Sequence, residues 1–290
     1  MQNTKILITG ASGFLAHHFI KELLNRYYII GVDKRPIPAN HYIPQHFIQT
    51  DVRDLGYRDL MGIDYVIHLA FVTNIPNSVR HPKETTHDNI CMTIHLLELC
   101  KEAGVKKVIF PSTASLYSHN PTPWKEDMPP DPIEPYSWQK LSLEYLCRLY
   151  DNCIIVRFFQ IFGELQREDT ALYAFLKAKA EGKPITLTKT VAQSSFKSGQ
   201  RDFIYAGDVA KAISLLLEKG KIGEIYNISS GKVNTMEDIA EAIGAEVKWI
   251  PRREYEVERH LGNIDKITSL GWKPEVEVLT WLKNYADNKK

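Results

Sequence analysis

This chain predicts a doubly wound parallel α/β sheet with a smaller C-terminal lobe, and two observations predict it. Strand-like apolar runs alternate with helical runs through the first half, and beyond Gly163 that rhythm loosens. Strict alternation builds a parallel sheet covered by helices on both faces, whereas mixed short elements build an appended lobe.

The first strand-like run, residues 5–9, leads directly into Gly10-Ala-Ser-Gly13 and a helical stretch over 14–24. Gly10 allows a tight turn and Gly13 lets backbone approach a phosphate. The helix, opened by Phe14 and Leu15, points its N-terminal amides and positive dipole end at an anion. Ala16 stands where helix must pack closely on strand, a position that accepts Gly or Ala. A second apolar run over 28–32 ends at Asp33, 23 residues beyond Gly10, where a carboxylate can accept hydrogen bonds from an adenosine ribose. The pattern predicts a cradle for a dinucleotide pyrophosphate; an ordinary strand-to-helix turn is the alternative.

Further strands are expected over 47–50, 65–70, 107–111 and 154–159, with helices over 86–103 and 137–150. In such sheets ligands bind beyond the carboxyl ends of the strands. Strand 107–111 ends in Ser112-Thr113-Ala114-Ser115-Leu116-Tyr117, and a proline-rich loop then leads to Tyr136-Ser-Trp-Gln-Lys140. Residues i and i+4 share a helix face, so Tyr136 and Lys140 can reach one site. A nearby ammonium stabilises phenolate and lowers a tyrosine pKa from about 10. With Thr113 hydrogen-bonding the reacting oxygen, this set suits interconversion of an alcohol and a carbonyl beside a nicotinamide. The same spacing recurs at Tyr173/Lys177 and Tyr285/Lys289, but without a hydroxyl cluster at the end of a central strand upstream.

In the second half, a helix over 170–182 precedes a polar stretch over 186–200. A helix over 208–219, a strand over 224–228 returning to the main sheet and a last helix over 278–287 follow. These place a dinucleotide-binding domain at 1–163, rejoined by 203–230, and a substrate-binding lobe at 164–202 and 231–290.

Composition narrows the classes. The 290 residues carry a formal net charge of +1 with both signs mixed along the chain, so no basic stripe for nucleic acid is visible. No run approaches the ~20 continuous apolar residues that span a bilayer. A buried strand from about Thr4 leaves no room for a signal sequence, and a cytoplasmic location is the expectation. Cys91, Cys100, Cys147 and Cys153 lack metal-ligand spacing and read mostly as core thiols, and no metal is expected from the scattered histidines.

Taken together, these residues resemble the extended short-chain dehydrogenase/reductases, and specifically the NAD-dependent epimerase/dehydratase family acting on nucleotide sugars. The resemblance runs through Thr9–Ala16, Asp33, Asp51-Val52, His68-Leu69-Ala70, Asn89, the Thr113, Tyr136 and Lys140 set and the 157–163 run Arg-Phe-Phe-Gln-Ile-Phe-Gly. It continues through 201–210, 226–231 and 270–274. It implies a Rossmann-type fold with NAD as cofactor. Asp51 and Val52 would then hold adenine, Leu69 and Ala70 would line the middle of the cofactor, and Asn89 would steady loop and cofactor from its helix. It further implies that Arg201 and Arg253 take the substrate diphosphate, as a planar guanidinium can. Glu256 is either a ribose contact or a solvated acid. His68 reads better as a satisfied core histidine than as a catalytic one. A homodimer through the helices near 86–103 and 137–150 is implied, with Met92, Leu96, Leu143 and Leu146 supplying apolar contacts unless they face the sheet.

Within that family, sugar 4,6-dehydratases carry an Asp-Glu pair directly after the catalytic Thr, where this chain has Ala114-Ser115, so dehydration is disfavoured. Epimerisation at C4 and net reduction of a keto sugar remain. Asp33 would repel the 2′-phosphate of NADP and favours a reaction that regenerates its own NAD, although Lys34 and Arg35 could offset it by turning inward. A catalytically silent dinucleotide sensor is a third reading, opposed by the complete Thr113, Tyr136 and Lys140 set. Gln160 in place of Asn, Glu164 in place of Pro and the 186–200 stretch leave the sugar open.

Overall fold

The computed structural model of the chain describes residues 4–190, 194, 197–252 and 256–287. Its first half runs β1 (Lys5–Thr9), α1 (Phe14–Leu23), β2 (Tyr28–Asp33), β3 (His46–Gln49), α2 (Tyr57–Leu60), β4 (Tyr65–His68), α3 (Ile75–Arg80), α4 (Pro82–Glu102), β5 (Lys107–Thr113), α5 (Pro135–Cys147) and β6 (Cys153–Phe158). The second half runs β7 (Gln160–Phe162), α6 (Ala171–Ala180), β8 (Ile185–Thr188), β9 (Gln200–Arg201), β10 (Phe203–Tyr205), α7 (Ala206–Lys219) and β11 (Ile225–Ile228). It ends with β12 (Asn234–Thr235), α8 (Met236–Ile243), β13 (Val247–Ile250), α9 (Asp265–Thr268) and α10 (Val278–Asp287).

Seven strands form one sheet in the order β11-β6-β5-β4-β1-β2-β3, each neighbouring pair parallel. The chain winds outward one way from β1 and the other way from β4. The carboxyl ends of β1 and β4 therefore flank the point where strand order reverses, which is where a crevice opens.

Successive strand side chains point to opposite faces. Ile6 and Ile8 accordingly enter one core layer with Phe19, Ile20 and Leu23 of α1 and Ile213, Leu216 and Leu217 of α7. Leu7 enters the other, with Leu96 and Leu97 of α4 and Leu143 of α5. A separate cluster of Phe162, Phe175, Leu187, Phe203, Ile239 and Leu282 forms the core of the smaller lobe. There β8 pairs with β13, β9 with β12 and β10 with β7, so short strands occupy the two ends of the polar stretch over 186–200.

Several boundaries depart from expectation for identifiable reasons. β5 continues two residues past Pro111, because beyond Ile109 it pairs only with β6 and the missing proline N–H costs no bond toward β4. α5 starts at Pro135, with proline at its first position and Glu134 as its cap, and stops at Cys147. α3 was not foreseen; Asn74 caps it by accepting from the Asn77 amide.

His68 sits inside the sheet, its Nδ1 2.8 Å from Thr9 Oγ1 and its Nε2 3.0 Å from Thr93 Oγ1. Burial lowers its pKa to about 3, as befits a neutral core histidine. Cys100, Cys147 and Cys153 are buried thiols while Cys91 is exposed. Among the described residues no helix is long and apolar enough to cross a membrane.

Candidate active site

A cleft of about 1220 Å³ runs across the carboxyl ends of the strands and into the smaller lobe. At its base, Gly10 has φ +68°, and a Cβ there would meet the backbone of Leu69 and Ala70 at 2.8 Å. The β1–α1 turn thus lies directly on the end of β4, held by the Ala70 amide donating to Thr9 Oγ1 at 3.1 Å. Gly13 is extended and its amide donates to the Gly10 carbonyl at 2.9 Å. No side chain caps α1 and no acid occupies its first turn, which leaves its positive end facing the cleft beside Phe14 and Leu15. These residues fit a phosphate-bearing dinucleotide, since the space a side chain would fill at Gly10 is kept as bare backbone.

Asp33, at the end of β2, is buried; its Oδ2 accepts from the Ser12 amide at 3.1 Å and its Oδ1 from the Arg35 amide at 2.9 Å. Arg35 remains 66% exposed, but its Nε approaches Asp33 Oδ1 to 3.5 Å. Asp51 is also committed: Arg53 grips both carboxylate oxygens at 2.9–3.0 Å, and these hydrogen bonds hold its pKa down to about 2. Val52, Leu69 and Ala70 line the cleft.

Asn89 needs correction as a cofactor contact. It is fully buried behind the cleft wall, accepting from the Val72 amide at 2.8 Å and donating to the Val72 carbonyl at 3.1 Å and to Gln139 Oε1 at 2.7 Å. It fixes the loop after β4 and lies outside the residues that line the cleft.

Thr113, Tyr136 and Lys140 come together at one wall of the cleft. Thr113 ends β5 and donates to Ser115 Oγ at 3.2 Å. Lys140, one turn beyond Tyr136, is buried, and its Nζ donates to the Pro111 carbonyl at 2.7 Å while lying 3.2 Å from the centre of the Phe71 ring. Burial pushes this ammonium well below the ordinary lysine range. The expected lowering of Tyr136 by Lys140 is not found. Burial, then the Glu134 charge, pushes the phenol above its ordinary value, while Arg167 and a hydrogen bond with Thr113 pull it back. Lys140 points its Nζ at Pro111 and Phe71, with Nζ 5.9 Å from the centre of the Tyr136 ring.

Gln160, two residues beyond the Phe158 that pairs with Thr113, opens β7 and lines the cleft. Arg201 donates to the carbonyls of Gln200 at 2.9 Å and Glu258 at 3.1 Å, and its Nη2 lies 3.4 Å from Glu256 Oε1. Glu256, which also accepts from Thr188 Oγ1 at 2.7 Å, is therefore a tethered acid rather than a solvated one. Arg253 lies outside the described residues. Glu164, standing where Pro was expected, accepts from the Tyr205 hydroxyl at 2.7 Å and Trp281 Nε1 at 2.8 Å and ties the segment after β7 to the smaller lobe.

Phe71, Glu134, Arg167 and His260 also line the cleft and were not singled out in the sequence. Only Glu134 carried a local signal, an acid immediately before a proline at a helix start. Among the described residues no group of three or more His, Cys, Asp or Glu is placed to hold a metal ion.

Residues 6–229 match the model of the NAD-dependent epimerase/dehydratase family. The chain is 33% identical to a UDP-glucuronate 4-epimerase of Thermodesulfobacterium geofontis, over 79% of this chain and 73% of that protein. It is 28% identical to the dTDP-D-glucose 4,6-dehydratase of Mus musculus, over 94% and 84%. The crystal structure of Thermus thermophilus UDP-glucose 4-epimerase in complex with NAD superposes with a TM-score of 0.84 at 26% identity, covering 98% of each chain.

Proposed function

This chain belongs to the NAD-dependent epimerase/dehydratase family of nucleotide-sugar-modifying enzymes, and we propose that it is an NAD-dependent nucleotide-sugar epimerase inverting C4 through a transient 4-keto sugar. The observation that carries this reading is the gathering of Thr113, Tyr136 and Lys140 on the cleft that also holds the Gly10 cradle. NAD, when bound, supplies a hydride acceptor that also returns the hydride.

The chain's own residues do the rest. Gly10, Gly13, Phe14 and Leu15 take the pyrophosphate, Asp33 the adenosine ribose, Asp51 and Val52 the adenine, and Leu69 and Ala70 the middle of the cofactor. Tyr136 takes the proton from the sugar 4-hydroxyl and later gives it back, and Thr113 hydrogen-bonds the same oxygen. Lys140 turns from Pro111 toward the ribose and Tyr136. Gln160 contacts the sugar, and Arg201 with Arg253 takes the diphosphate. Ala114, buried in the turn after β5, and Ser115 supply no carboxylate next to Thr113, which speaks against a dehydratase.

One observation favours a second reading. The approach of Arg35 to Asp33 softens the acid's exclusion of a 2′-phosphate, so an NAD(P)H-dependent 4-ketoreductase is the alternative. Incubation with UDP-, TDP- and GDP-sugars without added cofactor, and in parallel incubation of a 4-keto sugar with added NAD(P)H, decide between them. Appearance of a 4-epimer is expected; no epimer, together with NAD(P)H consumption on a 4-keto sugar, overturns the epimerase in favour of the reductase. A cytoplasmic location accompanies the proposal.

A homodimer through α4 and α5 is part of this proposal, but not through all the side chains first expected. Leu96 and Leu143 are fully buried in the core beneath the sheet, and Met92 and Leu146 pack against that core. The outward apolar side chains include Ile94 of α4, 37% exposed, Trp138 and Tyr145 of α5, 51% and 55%, and Leu149 just past α5, 77%. Replacing Tyr145 and Leu149 together by arginine is expected to halve the mass seen by light scattering without altering the circular dichroism; an unchanged mass would place any self-association elsewhere.

A further inference from the structure

Tyr136 shares the cleft with two opposite charges. From the loop after β7 comes Arg167, which lines the cleft, hydrogen-bonds Thr73 Oγ1 and pairs with Asp169 at 3.0 Å. From the cap of its own helix comes Glu134, whose Oε2 accepts from the Tyr136 amide at 2.6 Å and whose Oε1 accepts from the Ser137 amide at 2.9 Å. Glu134 is buried yet reaches the cleft, and fully buried Ser78 of α3 adds a longer contact to Oε2 at 3.5 Å. Among the described residues, Thr113 at the end of β5, Lys140 of α5 and the ring of Phe71, whose centre is 6.1 Å from that of Tyr136, also face it.

A helix cap alone does not require a carboxylate, because Ser, Thr or Asn supplies the same acceptor. We propose that Glu134 is a positioning residue for Tyr136: its carboxylate clamps the first turn of α5 and lays a fixed negative charge beside the phenol. The proposal rests on Tyr136 being the proton carrier. Burial pushes the Glu134 carboxyl above its ordinary range and its hydrogen bonds pull it back, so over the alkaline range in which a tyrosine titrates it carries its charge. That charge opposes the phenolate, while Arg167 works in the other direction.

The test reads Tyr136 directly and needs no sugar. In NAD-loaded protein carrying tyrosine labelled with ¹³C at Cζ, the Tyr136 resonance is identified by its loss in Tyr136→Phe and titrated with pH. In Glu134→Gln, and in Glu134→Ser, which retains an ordinary cap should the first variant fold poorly, the midpoint is expected to fall by about one pH unit. Glu134→Asp, which keeps both cap and charge, is expected to titrate as the wild type does. An unchanged or higher midpoint in both neutral variants would overturn the proposal and leave Glu134 a helix cap alone. Because no turnover enters this measurement, failure of the sugar panel and failure of this proposal are separate outcomes.

Discussion

Tyr136→Phe is expected to lower kcat by about 10²–10⁴-fold, the range usual for loss of a positioned acid–base group, while leaving dinucleotide binding and folding unchanged. The substitution deletes one oxygen, and the hydroxyl's side-chain bond is to Thr113, so little of the packing depends on it. The ring keeps its edge contact with Phe71, and the backbone keeps its cap from Glu134. The pH profile gives a second readout. Burial and Glu134 raise the phenol's proton affinity, so on the acid side the reactive phenolate is the minor form and the wild-type rate rises with pH. That limb is expected to vanish in the variant. The check is kcat against pH on any sugar of the panel that is turned over, together with NAD binding; unchanged turnover would remove Tyr136 from the mechanism, and lost NAD binding would mean that the ring positions the cofactor.

The scaffold was legible in the sequence because periodicity and glycine placement are local properties. Alternation identified the strands of the large sheet, and the spacing from Gly10 to Asp33 matched a turn and a second strand end that do meet at one crevice. What escaped the sequence depends on partners far along the chain. The resemblance has Asn89 steadying both loop and cofactor, but its amide is spent on Val72 of the loop and on Gln139, contacts set by how the loop after β4 folds back onto α4 and α5. The orientation of Lys140 depends on a carbonyl at Pro111 and on the ring of Phe71, neither of which a Tyr-x-x-x-Lys spacing encodes. Leu96 and Leu143 could equally have faced a second subunit or the sheet, since a helix on a sheet and a helix in a bundle both show an apolar stripe. Only packing decides between those faces.

The second large effect is expected where α5, the helix that carries Tyr136 and Lys140, is pinned to the sheet. Glu144 follows Lys140 by four residues as Lys140 follows Tyr136, so all three side chains share one face of α5. Glu144 meets Arg157 of β6 in a two-pronged pair, Nε to Oε1 at 2.9 Å and Nη2 to Oε2 at 2.7 Å, with 1% and 2% of the side chains exposed. The guanidinium also lies 4.8 Å from the centre of the Tyr117 ring. Removing one partner strands the other as an uncompensated buried charge, so Glu144→Leu or Arg157→Met is expected to cost about 3–5 kcal/mol. The double variant Glu144→Leu with Arg157→Met removes both charges and keeps apolar volume, and such replacements are often neutral or better. It is therefore expected to be more stable than either single variant, a coupling read by urea denaturation of all four proteins. Stability and catalysis should then separate, because the double variant recovers the fold but loses the two directional bonds that fix how α5 sits along β6. Residual misplacement of Tyr136 by even 1 Å can cost about 10²-fold in rate. A double variant that is both stable and fully active would show that apolar packing alone sets the register of the helix; one that is stable but slow would show that the ion pair is kept for where it holds Tyr136 and Lys140.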